Sequence, residues 1–254
     1  MATKKDTSWE NVAGWYDDLL RSGGTYQKEL ILPNLSRLME IKKGERLLDL
    51  ACGQGFFSGE FLKAGAVVTG ADASAKLIAL AKRNSPGVDF RVASADALAF
   101  IKDKSMDKAA LVLALQNIEN VLGTLRECAR ALKSGGVLYI VLNHPAFRIP
   151  KRSSWGWDDK TDKNMIVQYR RLDGYLSEAK IPVQMHPGDK PDERTLSFHR
   201  PLQFYFKALR AAGFSVTALE EWNSHKESEP GPRAKAENIA RKEIPLFLCL
   251  VAKT

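Results

Sequence analysis

Hydrophobic and polar positions alternate in blocks between residues 45 and 143, and these blocks predict strands and helices in turn. Short apolar runs predict strands at 46–52, 66–72, 88–94, 107–115 and 136–143. Stretches with helical spacing of their apolar positions predict helices at 57–64, 75–84 and 121–132. Strands that alternate with helices indicate βαβ units, which build a parallel sheet through right-handed crossovers.

The alternation changes after residue 143. Within 144–200, the sequence IVQYRRLDGYLSEA has apolar spacing that predicts a helix. The earlier pattern resumes with a predicted helix at 201–214 and predicted strands at 215–222 and 245–253, and a charged stretch separates these strands. The sequence therefore predicts one α/β domain with an insertion before its last helix and strands.

Composition limits the classes of protein to which the chain can belong. A chain of 254 residues with 44% hydrophobic residues can bury one large core. No apolar run approaches the roughly 20 residues that span a bilayer, and MATKKDTSWE contains no apolar segment of the signal-peptide kind. The three cysteines are scattered, without zinc-ligand spacing. We expect a soluble cytoplasmic protein without a structural metal.

The positive charge is concentrated in the insertion and the helix after it. The net charge is +8, and residues 145–213 hold 13 Lys and Arg against 8 Asp and Glu. Such an excess attracts nucleic acid or an anionic small substrate, or it serves only solubility.

The sequence LLDLACGQGFF, residues 47–57, ends an apolar strand in a glycine loop. Gly53 and Gly55 permit close approach of a ligand to the backbone where a helix begins. Asp72 ends the second predicted strand, where a carboxylate can accept hydrogen bonds from the 2′- and 3′-hydroxyls of a ribose. Asp96 follows the third strand and can accept from an adenine amino group. Each feature alone also fits an ordinary turn or a helix cap, but together they predict a nucleoside site.

A nicotinamide-dependent dehydrogenase would share the acidic residue after the second strand. It would also need the third glycine of the G-x-G-x-x-G pattern. Here the sequence is GQGFFS, with Ser58 in that place, which argues against this alternative.

The motifs resemble those of the class I S-adenosylmethionine-dependent methyltransferases of type 11. LLDLACGQG resembles their first motif, VTGADAS the second and SADAL the third, and LVLALQNIEN resembles the stretch after their fourth strand. ALKSGGVLYIV is similar to the helix and turn before their fifth strand. The resemblance covers about residues 10–143 and again 197–222, and the chain is similar to the subgroup that includes the ubiquinone and menaquinone biosynthetic methyltransferases.

This resemblance implies the fold and the division of the chain. The expected fold is α/β, a Rossmann-like seven-stranded, mostly parallel sheet with helices on both faces, an antiparallel last strand and a cap insertion after the fifth strand. The expected parts are an N-terminal helical lid (1–44), a cofactor-binding core (45–143), a substrate cap (144–200) and the C-terminal part of the core (201–254).

The resemblance also implies S-adenosylmethionine as cofactor and assigns residues to it. Gly53 and Gly55 would lie beside its amino-acid part, Asp72 would hold the ribose, and the Leu113 carbonyl would accept from its ammonium group. The remaining cofactor contacts expected are Ala95 and Asp96 at the adenine edge, Leu77 on the adenine face, Ala73, Tyr16 from the lid helix and Tyr26 at the carboxylate.

Candidate acceptor-side residues come from the insertion and its neighbours. His144 follows the fifth strand and is the first candidate base, His199 is the second, and His186 offers a further imidazole in the same insertion. Arginines can pair with a carboxylate or phosphate. The candidate substrate contacts are Gln116, Asn143, Arg148, Trp155, Tyr169 and Arg200.

A motif that the chain lacks argues against one class of methyl acceptor. The Asn/Asp-Pro-Pro-aromatic box of exocyclic-amine methylation is absent after the fourth strand, where the chain has LQNI. We expect a small aromatic or acidic acceptor, methylated at O, N or C. Two alternatives stay open: an RNA or protein substrate bound by the basic insertion, and S-adenosylmethionine binding without catalysis. The oligomeric state is not predicted.

Overall fold

The computed structural model describes residues 9–10, 12–21, 23–158, 166–184 and 194–254. Candidate His186 lies outside these residues. Among the described helices, none is long and apolar enough to cross a membrane.

A seven-stranded sheet forms the centre of the molecule. Its strands are β1 (Arg46–Leu50), β2 (Val67–Asp72), β3 (Asp89–Val92), β4 (Met106–Val112), β5 (Leu132–Asn143), β10 (Ser215–Trp222) and β11 (Phe247–Lys253). They lie in the order β10-β11-β5-β4-β1-β2-β3. The pairs from β5 through β4, β1 and β2 to β3 are parallel, whereas β11 runs antiparallel to both β5 and β10. The predicted sheet, with its antiparallel last strand, is confirmed.

The helices cover both faces of this sheet. They are α1 (Ala13–Arg21), α2 (Leu32–Met39), α3 (Phe56–Lys63), α4 (Ala75–Asn84), α5 (Val121–Ala131), α6 (Leu202–Ala211) and α7 (Ala234–Glu243). A π-helical turn, Gln27–Ile31, leads into α2. On one face, Leu125 of α5 and Leu209 of α6 pack against the sheet, and on the other Leu35 of α2 and Phe61 of α3 do so.

Alternation along the strands explains this arrangement. Leu48 of β1 and Leu111 of β4 belong to the core with α5 and α6, whereas Leu47 and Ala110 face the core with α2 and α3. A parallel sheet that is covered on both faces is apolar along its whole strand length, which is why the sequence signal for these strands is continuous rather than alternating.

Two hairpins stand between β5 and α6. They pair β6 (Ser153–Asp158) with β7 (Val167–Leu172) and β8 (Ala179–Gln184) with β9 (Arg194–His199), both antiparallel. The helix predicted within 166–179 is wrong, because β7 occupies its first half and exposes every second residue as far as Arg171. The charged stretch between the last two strands of the sheet contains a helix, α7, that the sequence pattern did not predict.

Candidate active site

A cavity of about 340 Å³ lies at the carboxyl ends of β1, β2, β3 and β4. Four successive strand ends supply most of its wall, and α1 and β9 close it. The lining residues include Asp49, 51–54, 56–57, Asp72, Ala73, Leu77, 93–96, 112–114 and 117–120 of the core, Trp9, Tyr16 and Leu20 of the lid, and Leu196 and Phe198 of β9. This edge of an open α/β sheet is where such folds bind their ligands.

The glycine loop after β1 forms the floor of the cavity. Gly53 and Gly55 have φ angles of 58° and 85°, and Ala51 shares this left-handed conformation at 55°. A Cβ at Gly55 would lie 2.9 Å from Phe90 Cζ, so this position excludes any side chain. Gly55 does not line the cavity itself, but its turn starts α3 without a side-chain cap, which leaves backbone N–H groups at the helix start.

Asp72 joins the glycine loop to the second strand. Its Oδ2 accepts from the Gly53 N–H at 3.0 Å, and its Oδ1 accepts from the Ser74 N–H at 2.8 Å. Burial raises the pKa of this carboxyl, and the two backbone hydrogen bonds oppose that shift. Each carboxylate oxygen can accept more than one hydrogen bond, so Asp72 holds the loop and still presents acceptors to the cavity.

Asp49 is a buried carboxyl in the cavity wall that was not among the predicted cofactor contacts. Burial raises its pKa to about 7, and a hydrogen bond from Ser58 Oγ at 2.5 Å opposes this shift. The sequence signal for it is a carboxylate inside the apolar run of the first strand. A group with this pKa beside a ligand cavity changes charge near neutral pH, as functional carboxyls often do.

Asp96 links the third strand end to the start of α5. Ser94 Oγ donates to Oδ1 of Asp96, and Asn120 Nδ2 donates to Oδ2 at 2.8 Å. Asn120 in turn caps α5 by accepting from the Gly123 N–H at 3.0 Å. This chain of hydrogen bonds fixes the carboxylate of Asp96 in the cavity wall beside Ala95.

Leu113 directly follows β4 and has a left-handed conformation, with φ of 54°. A non-glycine residue in this region is uncommon and costs free energy. Its carbonyl accepts from Gln116 Nε2 at 2.7 Å and from Asn117 Nδ2 at 3.3 Å. The carbonyl predicted to accept from the cofactor ammonium therefore already has two amide donors. Gln116 itself is buried behind the loop and does not line the cavity.

The lid helix α1 closes the cavity above the glycine loop. Tyr16 Cε1 lies 3.6 Å from the position of a Cβ on Gly53. Burial raises the pKa of Tyr16 to about 12, and a hydrogen bond with the Gln27 side chain opposes this shift. Asn84 Nδ2 donates to Asp17 Oδ1 at 2.9 Å, which ties the lid to the end of α4.

Tyr26 lies outside the cavity. Its hydroxyl is 3.1 Å from Ser224 Oγ, and its ring meets that of Phe247 edge to face. The predicted contact with the cofactor carboxylate has no support from this position.

His144 and His199 do not line the cavity, and neighbouring groups already engage their rings. His144 Nδ1 lies 3.2 Å from the Ala146 N–H that donates to it, so its Nε2 carries the proton towards Glu221 Oε1 at 2.7 Å. His199 Nε2 donates to the Tyr175 carbonyl at 2.8 Å. Burial lowers the pKa of both imidazoles. The catalytic roles predicted from the sequence have no support from these positions, and the hydrogen bonds of both rings favour structural roles.

The predicted substrate residues also lie away from the cavity, for different reasons. Trp155 and Tyr169 are half exposed on the β6–β7 hairpin. Arg200 is buried, and its Nη1 and Nη2 donate to the carbonyls of Ile118 and Glu119 at 3.0 and 2.9 Å. Asn143 accepts from Arg148 Nη1 at 2.8 Å. Arg200 therefore supports the wall of the cavity rather than binding an acceptor directly.

An apolar patch of this wall was not predicted from sequence. Ile118 follows β4, and Leu196 and Phe198 of β9 also line the cavity. The Arg200 guanidinium stacks on the Phe198 ring, 4.9 Å from its centroid. β9 arrives from far along the chain, so no local pattern marks these residues as neighbours of the glycine loop.

Comparisons with known proteins agree with this site. Residues 48–140 match a family model described as a methyltransferase domain. The chain is 34% identical over 143 residues to a demethylmenaquinone methyltransferase of Paenarthrobacter aurescens (strain TC1), a match that covers 55% of each chain. It is 35% identical over 101 residues to a ubiquinone biosynthesis O-methyltransferase of Xanthomonas campestris pv. campestris (strain B100), covering 38% of this chain and 42% of that protein. The chain thus spans about half the length of the curated relatives it matches.

A solved structure extends the likeness to nearly the whole chain. An S-adenosylmethionine-dependent methyltransferase from Mesorhizobium loti superposes with a TM-score of 0.70 and 28% identity, covering 91% of this chain and all of that one. Residues 48–140 thus match a methyltransferase domain, and the chain as a whole has the fold of this S-adenosylmethionine-dependent methyltransferase. S-adenosylmethionine fits the cavity, because Asp49 and Asp72 provide carboxylate acceptors in its wall and Gly53 allows a ligand to approach the backbone closely. Among the described side chains, no group of three His, Cys, Asp or Glu is placed to hold a metal ion.

Proposed function

We propose that the protein transfers the methyl group of S-adenosylmethionine to a small aromatic acceptor related to the quinones. The observation that carries this proposal is the half-buried Asp72 carboxylate, which faces the cavity while it holds the glycine loop. The names of the curated relatives support the acceptor class, since they act on menaquinone and ubiquinone precursors.

The cavity residues would bind the cofactor through complementary charge. When bound there, S-adenosylmethionine supplies a methyl group on a positively charged sulfur. Asp72 would accept from ribose hydroxyls, and an ionised Asp49 would attract the cationic part of the ligand. Trp9, Tyr16 and Leu20 would cover it from the lid side and exclude water.

The apolar patch of Ile118, Leu196 and Phe198 would receive the acceptor ring. Stacked and edge-on contacts with an aromatic wall suit a flat apolar molecule. Arg200 positions this wall, because it holds the carbonyls of Ile118 and Glu119 and stacks on Phe198 at the same time.

Catalysis would depend on positioning and on exclusion of water rather than on a histidine base. No histidine among the described residues lines the cavity. Glu119 does line it, but its side chain is 73% exposed and pairs with Lys180. Alignment of two reacting groups alone can supply a large part of a rate enhancement, and an acceptor that ionises readily does not need a protein base.

A direct experiment measures transfer of a trideuterated methyl group to a panel of phenols, quinols and aromatic acids by mass spectrometry. We expect a labelled product that wild type forms and Asp72→Asn forms at least about tenfold more slowly at subsaturating cofactor. The matched control is Asp89→Asn, since Asp89 is an exposed carboxyl at the start of β3 that pairs with Arg91. This variant should behave as wild type.

Two results would contradict the proposal. Transfer to RNA or protein but to no small molecule would favour the alternative substrates of the basic insertion. Tight binding of S-adenosylhomocysteine with no transfer to any acceptor would favour a binding protein without catalysis.

A further inference from the structure

Arg148 is a half-buried cation without a counter-ion in the part of the chain that the structure describes. It follows β5 in the turn 144–148, and its Nη1 donates to Asn143 Oδ1 at 2.8 Å. The guanidinium lies 5.0 Å from the centroid of the Phe247 ring. Glu221, a carboxylate near this turn, is engaged by His144 instead. Most N–H donors of Arg148 therefore have no protein acceptor among the described residues.

Arg170 of β7 is a second such cation, and it is anchored to the same turn. Its Nε donates to the Phe147 carbonyl at 2.9 Å, directly beside Arg148, and its Nη2 donates to Ser153 Oγ at 2.7 Å. Its guanidinium lies over the Trp155 ring at 5.0 Å. No described carboxylate lies within ion-pair distance of Arg170.

Two neighbouring cations without counter-ions carry a cost in free energy. Burial lowers the pKa of both arginines, and the Arg170 charge lowers that of Arg148 further, while the Tyr26 hydroxyl group opposes it. Partly buried charges are normally paired, because desolvation without a partner is unfavourable. An anion between the two guanidinium groups would remove the repulsion and satisfy the remaining donors.

Arg148 lies close to the strands that border the cavity. Phe247, under Arg148, pairs in register with Asn143 of β5. Next to β5 is β4, and the Leu113 N–H donates to the Val141 carbonyl at 2.8 Å. Arg148 thus stands over β11, two strand spacings or roughly 10 Å from the cavity wall at Leu113, and Arg170 is hydrogen-bonded to the turn beside it. That distance suits a small aromatic molecule with an acidic substituent.

We propose that Arg148 and Arg170 form a binding site for a carboxylate or phosphate group, and that the methyl acceptor supplies this group. The proposal rests on the methyltransferase function above and names the charge of its substrate. A free inorganic anion would satisfy the same two arginines. The two sources of the anion can be distinguished, because only an acceptor site would bind an aromatic carboxylate while the cofactor site is occupied.

The first test is calorimetric titration of the full chain with inorganic phosphate, at ionic strength held constant with sodium chloride. Wild type should bind phosphate, whereas Arg148→Gln and Arg170→Gln should each lose about tenfold or more in affinity, the contribution of one charge-assisted hydrogen bond. The matched control is Arg171→Gln, because Arg171 is the exposed neighbour that already pairs with Asp173. Equal phosphate affinity in all four proteins, or none in wild type, would overturn the proposal.

The second test separates the two sources. Wild type saturated with S-adenosylhomocysteine should bind benzoate but not benzamide, and Arg148→Gln should lose the benzoate binding. Binding of phosphate without benzoate would assign the site to a free anion and overturn the acceptor half. All variants should retain wild-type affinity for S-adenosylhomocysteine. Failure of the anion-site proposal would therefore not count against the cofactor site. Arg148→Lys, which keeps the charge, provides a folded comparison if Arg148→Gln is unstable.

Discussion

The ionisation of Asp49 offers a quantitative test of how the cavity binds a cationic ligand. Burial raises the pKa of Asp49 to about 7, so the carboxyl is about half ionised at neutral pH in the empty protein. A ligand that carries an ammonium group binds the ionised form better and therefore shifts this equilibrium. Replacement by Asn removes the titration while nearly preserving the shape of the side chain.

The expected magnitude follows from the fraction ionised. About one tenth of Asp49 is ionised at pH 6 and about nine tenths at pH 8, so the affinity for S-adenosylhomocysteine should rise close to tenfold over this range. In Asp49→Asn the affinity should be lower and nearly independent of pH. The ammonium group of the ligand stays protonated across this window, so it adds no slope of its own.

Calorimetry in two buffers of different ionisation enthalpy provides the assay, because it also counts protons released on binding. Wild type should release a fraction of a proton at pH 6 to 7 and almost none at pH 8. The same pH slope and proton release in Asp49→Asn would refute the assignment of the titration to this carboxyl.

The same shift makes a prediction about stability. A carboxyl whose pKa is higher in the folded state binds more protons there than in the unfolded chain, where its pKa is about 3.9. The contribution of Asp49 to stability should therefore fall as the pH rises from about 4 to 7, and the variant should lose this slope in thermal unfolding.

Three further variants test individual parts of the site. Asp72→Asn removes a charged acceptor that also holds the Gly53 N–H, so we expect at least about tenfold weaker binding of S-adenosylhomocysteine by calorimetry, and unchanged binding would contradict the role of this carboxylate. Gly55→Ala places a Cβ 2.9 Å from Phe90 Cζ at a φ of 85°, so the melting temperature should fall by several degrees, whereas a neutral effect would show that the loop adapts freely. His144→Ala removes hydrogen bonds of about 1–3 kcal/mol in total, so thermal stability should fall while turnover stays within about threefold of wild type. A hundredfold loss of turnover in a stable variant would instead support a catalytic role for His144.

Much of the core follows from the sequence because its signals are local. The apolar run of Leu47, Leu48 and Leu50 predicts a strand that is covered on both faces. The two glycines, Gly53 and Gly55, predict the left-handed turn that follows it. The carboxyl ends of parallel strands meet at one edge of the sheet, so the sequence pattern alone predicts that Asp72 and Asp96 lie close together. Asp49 carried the same kind of signal, as a carboxylate inside an apolar strand.

The acceptor side does not follow from the sequence because its contacts join distant segments. Ile118 and Phe198 of β9 line the same cavity although some 80 residues separate them along the chain. No spacing pattern in the sequence predicts that these two residues are neighbours. The sequence of β7 has helical spacing, but pairing with β6 determines its conformation, since strand propensity depends on the partner.

Polar side chains near the cavity show a further limit of sequence reasoning. His144 follows the fifth strand, in a place where a catalytic base would lie, but a tight turn directs its ring towards Ala146 and Glu221. Arg200 was expected to bind an acceptor, and backbone carbonyls take its donors instead. The types of these residues are readable from sequence, but their hydrogen-bond partners depend on how the cap folds.

We expect the cavity at the ends of β1 to β4 to bind the cofactor, and a crystal structure of the protein with S-adenosylhomocysteine would show whether it does. We expect density in that cavity, with ribose oxygens within hydrogen-bonding distance of Asp72 and the Tyr16 ring covering the ligand. Density at another site, or a ligand in this cavity that leaves Asp72 bonded only to Gly53 and Ser74, would contradict it.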